Sequence, residues 1–223
     1  MRSPAHSQLT HSQLIDAPCG KLEVDALWQA DSTGVANPNA ASVERVAILC
    51  HPNPLQEGTM MNKVVTTMYR FARDQNMHVV RFNFRGVGQS EGQHDLGIGE
   101  TDDLQFIDQW AKHRFGNDKT VLAGFSFGSY VQVRLAQRIQ TERMVLVGTA
   151  VGRVSGDREY PGANVPEDSI LIHGELDETV PLANVLAWAA PQDIPVVVIP
   201  GADHFFHRRL NIIRGIVMRA WPS

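Results

Sequence analysis

The sequence predicts an α/β fold, a mostly parallel sheet with helices on both faces, and two features carry that prediction. Short, nearly continuous apolar runs recur along the chain, and the stretches between them repeat apolar residues every three or four positions. Strands buried on both faces read as unbroken apolar runs, whereas amphipathic helices show a 3.6-residue period. Alternation of the two, about five times over, is the pattern of a parallel sheet covered on both sides.

Taken in order, KLEVDALWQA (21–30) alternates sides with period two and is expected to add antiparallel edge strands ahead of the parallel ones. The first parallel run is VAILC (46–50), followed by a helix on Val64, Val65, Met68 and Phe71. VVRFNF (79–84) leads to a helix on Leu104, Ile107 and Ala111, and VLAGF (121–125) to one on Val131, Leu135 and Ile139. MVLVG (144–148) is followed by a stretch rich in Gly, Pro and Asp that reads as a loop, too short for a helical lid domain. ILIHG (170–174) precedes a helix on Leu182, Val185 and Ala189, and VVVIPG (196–201) precedes a last one on Leu210, Ile213, Val217 and Trp221.

A chain of 223 residues fits one domain with a single core. We expect a flexible N-terminal tail over 1–18, where HSQL occurs twice, and one folded domain over 19–223. The apolar fraction of 43%, the net charge of -4 and the pI of about 6.1 describe a soluble globular protein without the basic stripe that nucleic acid requires. No segment approaches the ~18 apolar residues of a membrane span, and the N-terminus lacks a signal-peptide apolar region, so no membrane partner and a cytoplasmic location are expected. Two cysteines, Cys19 and Cys50, suggest reduced thiols rather than a disulfide framework.

In an open parallel sheet, chemistry gathers in the loops at the carboxyl ends of the strands. After VLAGF comes Gly124-Phe125-Ser126-Phe127-Gly128 opening onto a helical pattern, a G-x-S-x-G turn in strand-turn-helix context. A serine hydroxyl needs a base, and the base needs a carboxylate to fix its tautomer. HGELDETVP offers Glu175, Asp177 and Glu178, and GADHFFHRR offers Asp203, His204 and His207. Chain order and position just past the strand ends select Asp177 and His204. His207 and the two glutamates read as solvated, Asp203 as a turn residue, and His173, inside an apolar run, as a satisfied core histidine.

These motifs, with His51-Pro52-Asn53-Pro54, Arg85-Gly86-Val87-Gly88-Gln89-Ser90 and Asp203-His204-Phe205-Phe206, resemble a small single-domain serine hydrolase of the α/β-hydrolase superfamily. The likeness is to its carboxylesterase or dienelactone-hydrolase-like branch and covers about residues 20 to 223. It implies a Ser126, Asp177, His204 triad, an oxyanion hole built from the backbone of Phe127 and of the loop after the first parallel strand, and carboxylic ester or thioester hydrolysis. The loop departs from the His-Gly of many relatives, because His51 is followed by Pro52. Neither Pro52 nor Pro54 has an N–H, which leaves Asn53, at the family's usual place, or alternatively Leu55 as the second donor. Arg85 is expected to tie loops together.

No organic cofactor and no metal are expected, since H-E-x-x-H and similar ligand patterns are absent from the sequence. The expected partner is a small-molecule ester, with Leu55, Met60, Met61, Val180, Phe205 and Phe206 as candidate lining of an apolar acyl pocket. The same triad also serves acyl transfer, peptide cleavage or peracid formation, and a fold alone is compatible with a non-catalytic scaffold.

Overall fold

The computed structural model describes residues 12–29, 43–116 and 119–221. The described residues form ten strands and five α-helices in the order β1 (Gln13–Ala17), β2 (Gly20–Leu27), β3 (Arg45–Cys50), α1 (Lys63–Asp74), β4 (His78–Phe82), α2 (Ile98–Phe115), β5 (Lys119–Phe125), α3 (Phe127–Leu135), β6 (Arg143–Val147), β7 (Gly152–Val154), β8 (Arg158–Tyr160), β9 (Ile170–Gly174), α4 (Leu182–Ala189), β10 (Val196–Ile199) and α5 (Leu210–Ala220). Eight strands form one sheet in the order β1-β2-β4-β3-β5-β6-β9-β10, while β7 and β8 pair separately. Strand β2 is antiparallel to both β1 and β4, and the pairings from β4 through β10 are all parallel.

The unbroken apolar runs have a direct structural cause. Along β3, Val46, Ile48 and Cys50 enter one core with α2, α3 and α4, while Ala47 and Leu49 enter a second core with α1 and α5. The central strands β3, β5, β6 and β9 each feed both cores, so both sides of their alternation are mostly apolar. The chain runs outward from β3 to β4 and then crosses back to β5 on the other side of β3. The connections after β3 and β5 therefore leave toward opposite faces, and the carboxyl ends of these two strands flank a crevice.

Three expectations need correction. The tail predicted over 1–18 does not hold for its second part, because Gln13–Ala17 pair with Gly20–Val24 across a tight turn at Pro18 and Cys19. Ile15 and Ala17 pack against the core, too few apolar residues to announce a strand. Residues 1–11, with the first HSQL, lie outside the described residues. Strand β2 is consequently an inner strand, with β1 at the sheet edge. The connection between β6 and β9 is more than a loop, since β7 and β8 form a small hairpin there. No helix among the described residues is long and apolar enough to cross a membrane.

The turn after β4 is held by a buried ion pair. Arg85 donates through Nε and a terminal nitrogen to both carboxylate oxygens of Asp103, at 2.6 and 2.8 Å. A Cβ on Gly99 would overlap that guanidinium, so the small residue is part of the seat. Asp103 is fully buried, and removing one partner strands the other charge away from water. Asp103→Ala is expected to lower the unfolding free energy by about 3 kcal/mol or more, read as a shift in the urea midpoint at unchanged slope.

Candidate active site

Strand register brings two of the expected segments together. Cys50 at the end of β3 pairs with Gly124 near the end of β5, so the His51–Pro54 segment and the Ser126 turn leave the sheet side by side. Ser126 has φ 55° and ψ -118°, the strained conformation of a sharp strand-to-helix turn. Its glycine flanks have specific neighbours: a Cβ on Gly124 would meet Ser129 N at 2.6 Å, and one on Gly128 would overlap the Cys50 carbonyl. Only glycine lets helix α3 start this close to the end of β3.

His204 Nε2 lies 3.0 Å from Ser126 Oγ, and His204 Nδ1 lies 2.7 Å from Asp177 Oδ2. The network assigns the tautomer: Nδ1–H donates to the carboxylate, leaving Nε2 to accept the serine hydroxyl proton. All three residues are buried, at 5 to 7% exposure. The remaining oxygen of Asp177, Oδ1, accepts from the backbone of Thr179 and Val180 at 2.9 and 2.8 Å. His173 stands beside the acid: its Nε2–H donates to the Val180 carbonyl at 2.9 Å, and the same nitrogen lies 3.3 Å from Asp177 Oδ2. Burial pushes its pKa down, so it stands there as a neutral imidazole. The sequence suggests only a core histidine at this position, and nothing in the local pattern signals its contact with the acid.

The acid and base loops are joined directly. Glu175 N–H donates to the Ile199 carbonyl at 3.1 Å, Leu176 N–H to that of Ala202 at 2.9 Å, and Gly201 N–H to the Glu175 carboxylate at 2.8 Å. A Cβ on Gly174 would meet the Ala202 carbonyl at 2.5 Å. Among the other candidates, Glu178 is exposed, and Asp203 pairs with the exposed ring of His207 at 2.6 Å.

His51 is buried, and both of its ring nitrogens are engaged by backbone groups. Its Nδ1–H donates to the Pro52 carbonyl at 2.7 Å and its Nε2 accepts from Phe84 N–H at 2.9 Å. Burial lowers its pKa to about 3. Asn53 is buried as well, and its Oδ1 accepts from Leu55 N–H at 2.8 Å, so the donor of Leu55 is already engaged. Among the described residues no acceptor pairs with the N–H of Asn53 or of Phe127.

The six candidate pocket residues divide evenly. Met60, Val180 and Phe206 are buried in the core, whereas Leu55, Met61 and Phe205 are exposed. Met61, Phe205 and the edge of Phe206 join Val64 and Leu210 around a cavity of about 410 Å³. One wall of it follows the Asn53 loop in the chain, and the other follows His204. Among the described residues, no three His, Cys, Asp or Glu side chains are grouped as ligands for a metal ion.

Comparison with known proteins agrees with this architecture. A family model described as the alpha/beta hydrolase fold matches residues 48–161. An α/β serine hydrolase without a lid from Xanthomonas campestris is 33% identical, with 99% of each chain covered and a TM-score of 0.82. An α/β serine hydrolase homologue from Coxiella burnetii is 35% identical, covering 99% of this chain and 100% of that one, with a TM-score of 0.80. An uncharacterised protein of Rickettsia prowazekii is 32% identical over 179 residues, 76% of this chain and 74% of its own.

The depressed pKa of His51 fixes a sign for the acid response. Below pH 6.5 the unfolded chain takes up a proton there that the folded chain, with its pKa of about 3, refuses. Stability is therefore complete above pH 6.5 and falls as the pH drops toward 3, with His51 alone removing about 2 kcal/mol by pH 5. Urea unfolding at pH 7.5 and 5 is expected to show a smaller loss in His51→Gln than in the parent; equal losses would contradict the assignment.

Proposed function

The chain belongs to the α/β-hydrolase family, and from that membership we propose that it is a serine hydrolase acting on carboxylic esters or thioesters of small substrates. The observation that carries this reading is the unbroken line from Ser126 Oγ through the His204 imidazole to Asp177, with links of 3.0 and 2.7 Å. Ser126 Oγ attacks the acyl carbonyl carbon while His204 Nε2 takes the hydroxyl proton. Asp177 holds Nδ1–H and balances the imidazolium charge. The bond to the alkoxy or thiolate group breaks as His204 returns its proton to that leaving group. A water molecule then loses a proton to His204, attacks the acyl-serine, and the acid departs as Ser126 recovers its hydrogen.

The negative charge on the carbonyl oxygen calls for two fixed donors, each worth about 3 to 4 kcal/mol in the barrier. The free N–H groups of Phe127 and Asn53 suit that task, and the engagement of Leu55 N–H by Asn53 Oδ1 favours Asn53 over its alternative. The description of the Xanthomonas relative as a serine hydrolase without a lid supports the same reading. Met61 and Phe205, at the cavity between the two site loops, are the surfaces we assign to the acyl chain.

Ser126→Ala is expected to reduce kcat/KM for p-nitrophenyl acetate at least ~10³-fold while leaving the thermal transition in place. A fluorophosphonate is expected to label one serine per chain in the parent and none in the variant; turnover retained by the variant would exclude Ser126 as nucleophile. Met61→Trp, which narrows the cavity, is expected to lower kcat/KM for a hexanoate ester about tenfold relative to acetate. An unchanged chain-length profile would place the acyl chain elsewhere.

A further inference from the structure

Asn53 and Phe127 belong to different elements, the loop after β3 and the first turn of α3, yet both meet one side chain. The hydroxyl of Tyr160, the last residue of β8, accepts from Asn53 Nδ2 at 3.4 Å. Its ring meets that of Phe127 edge-on, with centroids 6.0 Å apart. Tyr130, on the next turn of α3, closes the cluster at 4.8 Å from Tyr160 and 6.0 Å from Phe127. Tyr160 is itself buried, and burial raises its pKa, keeping the phenol protonated.

The hairpin that carries Tyr160 is anchored at several points around the site. Ser155 N–H donates to the Thr179 carbonyl at 2.9 Å, and the N–H of that same Thr179 donates to Asp177 Oδ1. Arg158 reaches across to Gln56 Oε1 at 3.3 Å, in the short helical turn just after Asn53. Asn184 on α4 donates to the carbonyls of Val151 and Arg153 at 3.1 and 2.7 Å. The Tyr160 ring is thus held from the acid turn, from α4 and from the β3 loop at once.

We propose that Tyr160 is a positioning residue that sets the distance between the two backbone donors of the oxyanion hole, and that the β7–β8 hairpin supplies the anchorage for it. The inference rests on the serine-hydrolase reading of Ser126, Asn53 and Phe127. Its physical basis is that oxyanion donors act only if their separation is fixed before the charge forms. Asn53 is held by its side chain and Phe127 by its ring. Shortening or removing Tyr160 lets the two N–H groups move relative to each other without touching the substrate.

The experiment compares Tyr160→Phe and Tyr160→Leu with the parent on p-nitrophenyl acetate, alongside thermal melting and fluorophosphonate labelling of Ser126. Tyr160→Phe is expected to lower kcat about three- to tenfold at a KM within about twofold of the parent. Tyr160→Leu is expected to lower kcat roughly tenfold further. The rate of fluorophosphonate labelling is expected to fall in parallel, because that reaction places charge at the same donors. In a double-mutant cycle the effects of Tyr160→Phe and Asn53→Ala are expected to be less than additive. An unchanged kcat in the folded variants, a raised KM with kcat intact, or strict additivity would overturn the proposal, and Tyr160→Phe decides it should Tyr160→Leu fail to fold. Absence of labelling in the parent would instead overturn the underlying serine-hydrolase reading, which separates the two failures.

Discussion

The rest of the site depends on how closely the first turn of α3 approaches the end of β3. A Cβ on Gly128 would overlap the Cys50 carbonyl and meet that of His51 at 2.6 Å. Because nothing larger than hydrogen stands there, the free N–H at the start of α3 and the segment leaving β3 occupy one small volume. The positive φ of Ser126 is the local cost of that approach, and the pairing of Cys50 with Gly124 holds it in place. A one-residue slip of β3 against β5 would exchange the two cores and separate the segments, so sheet register and site geometry are the same constraint.

Burial then determines which groups near the site carry charge. His51 and His173 are both driven toward the neutral form by desolvation, and both are committed as donor or acceptor to backbone groups. A buried carboxylate, by contrast, needs its lone pairs filled. Asp177 meets that demand with two backbone N–H groups on Oδ1 and with His204 Nδ1–H on Oδ2. The acid is therefore fixed in rotation as well as in place, and His204 Nδ1–H donates to an acceptor that has no alternative orientation. Neutral neighbours also avoid a second positive charge beside the imidazolium that the reaction would form.

The parallel sheet and its helices were legible because the central strands feed two apolar cores and each helix only one, which gives two distinguishable periods. Ser126, Asp177 and His204 were legible because chain order and strand ends are local information, and the three lie within hydrogen-bonding distance. Strand β1 was not, since only Ile15 and Ala17 of its five residues pack inward amid a polar sequence. The β7–β8 hairpin was not, since two three-residue strands set no period. Met60 and Val180 look like pocket residues by their position in sequence, yet they are buried in the core, because which way a loop side chain turns is set by distant packing. The contact between Asn53 and Tyr160 spans 107 positions and leaves no local trace at either end.

That last contact bears on why a lidless chain retains an insertion between β6 and β9. A helical lid screens a site from water, but here Ser126, Asp177 and His204 are already 93% or more buried without one. What the site lacks is lateral restraint, because Asn53 sits on a loop whose two prolines stiffen its path but provide no donors to brace it. The hairpin lies between the acid turn and that loop, bonded to Thr179 on one side and to Gln56 and Asn53 on the other. Six strand residues are enough for the task, since bracing requires only one buried ring at a fixed distance from two neighbours.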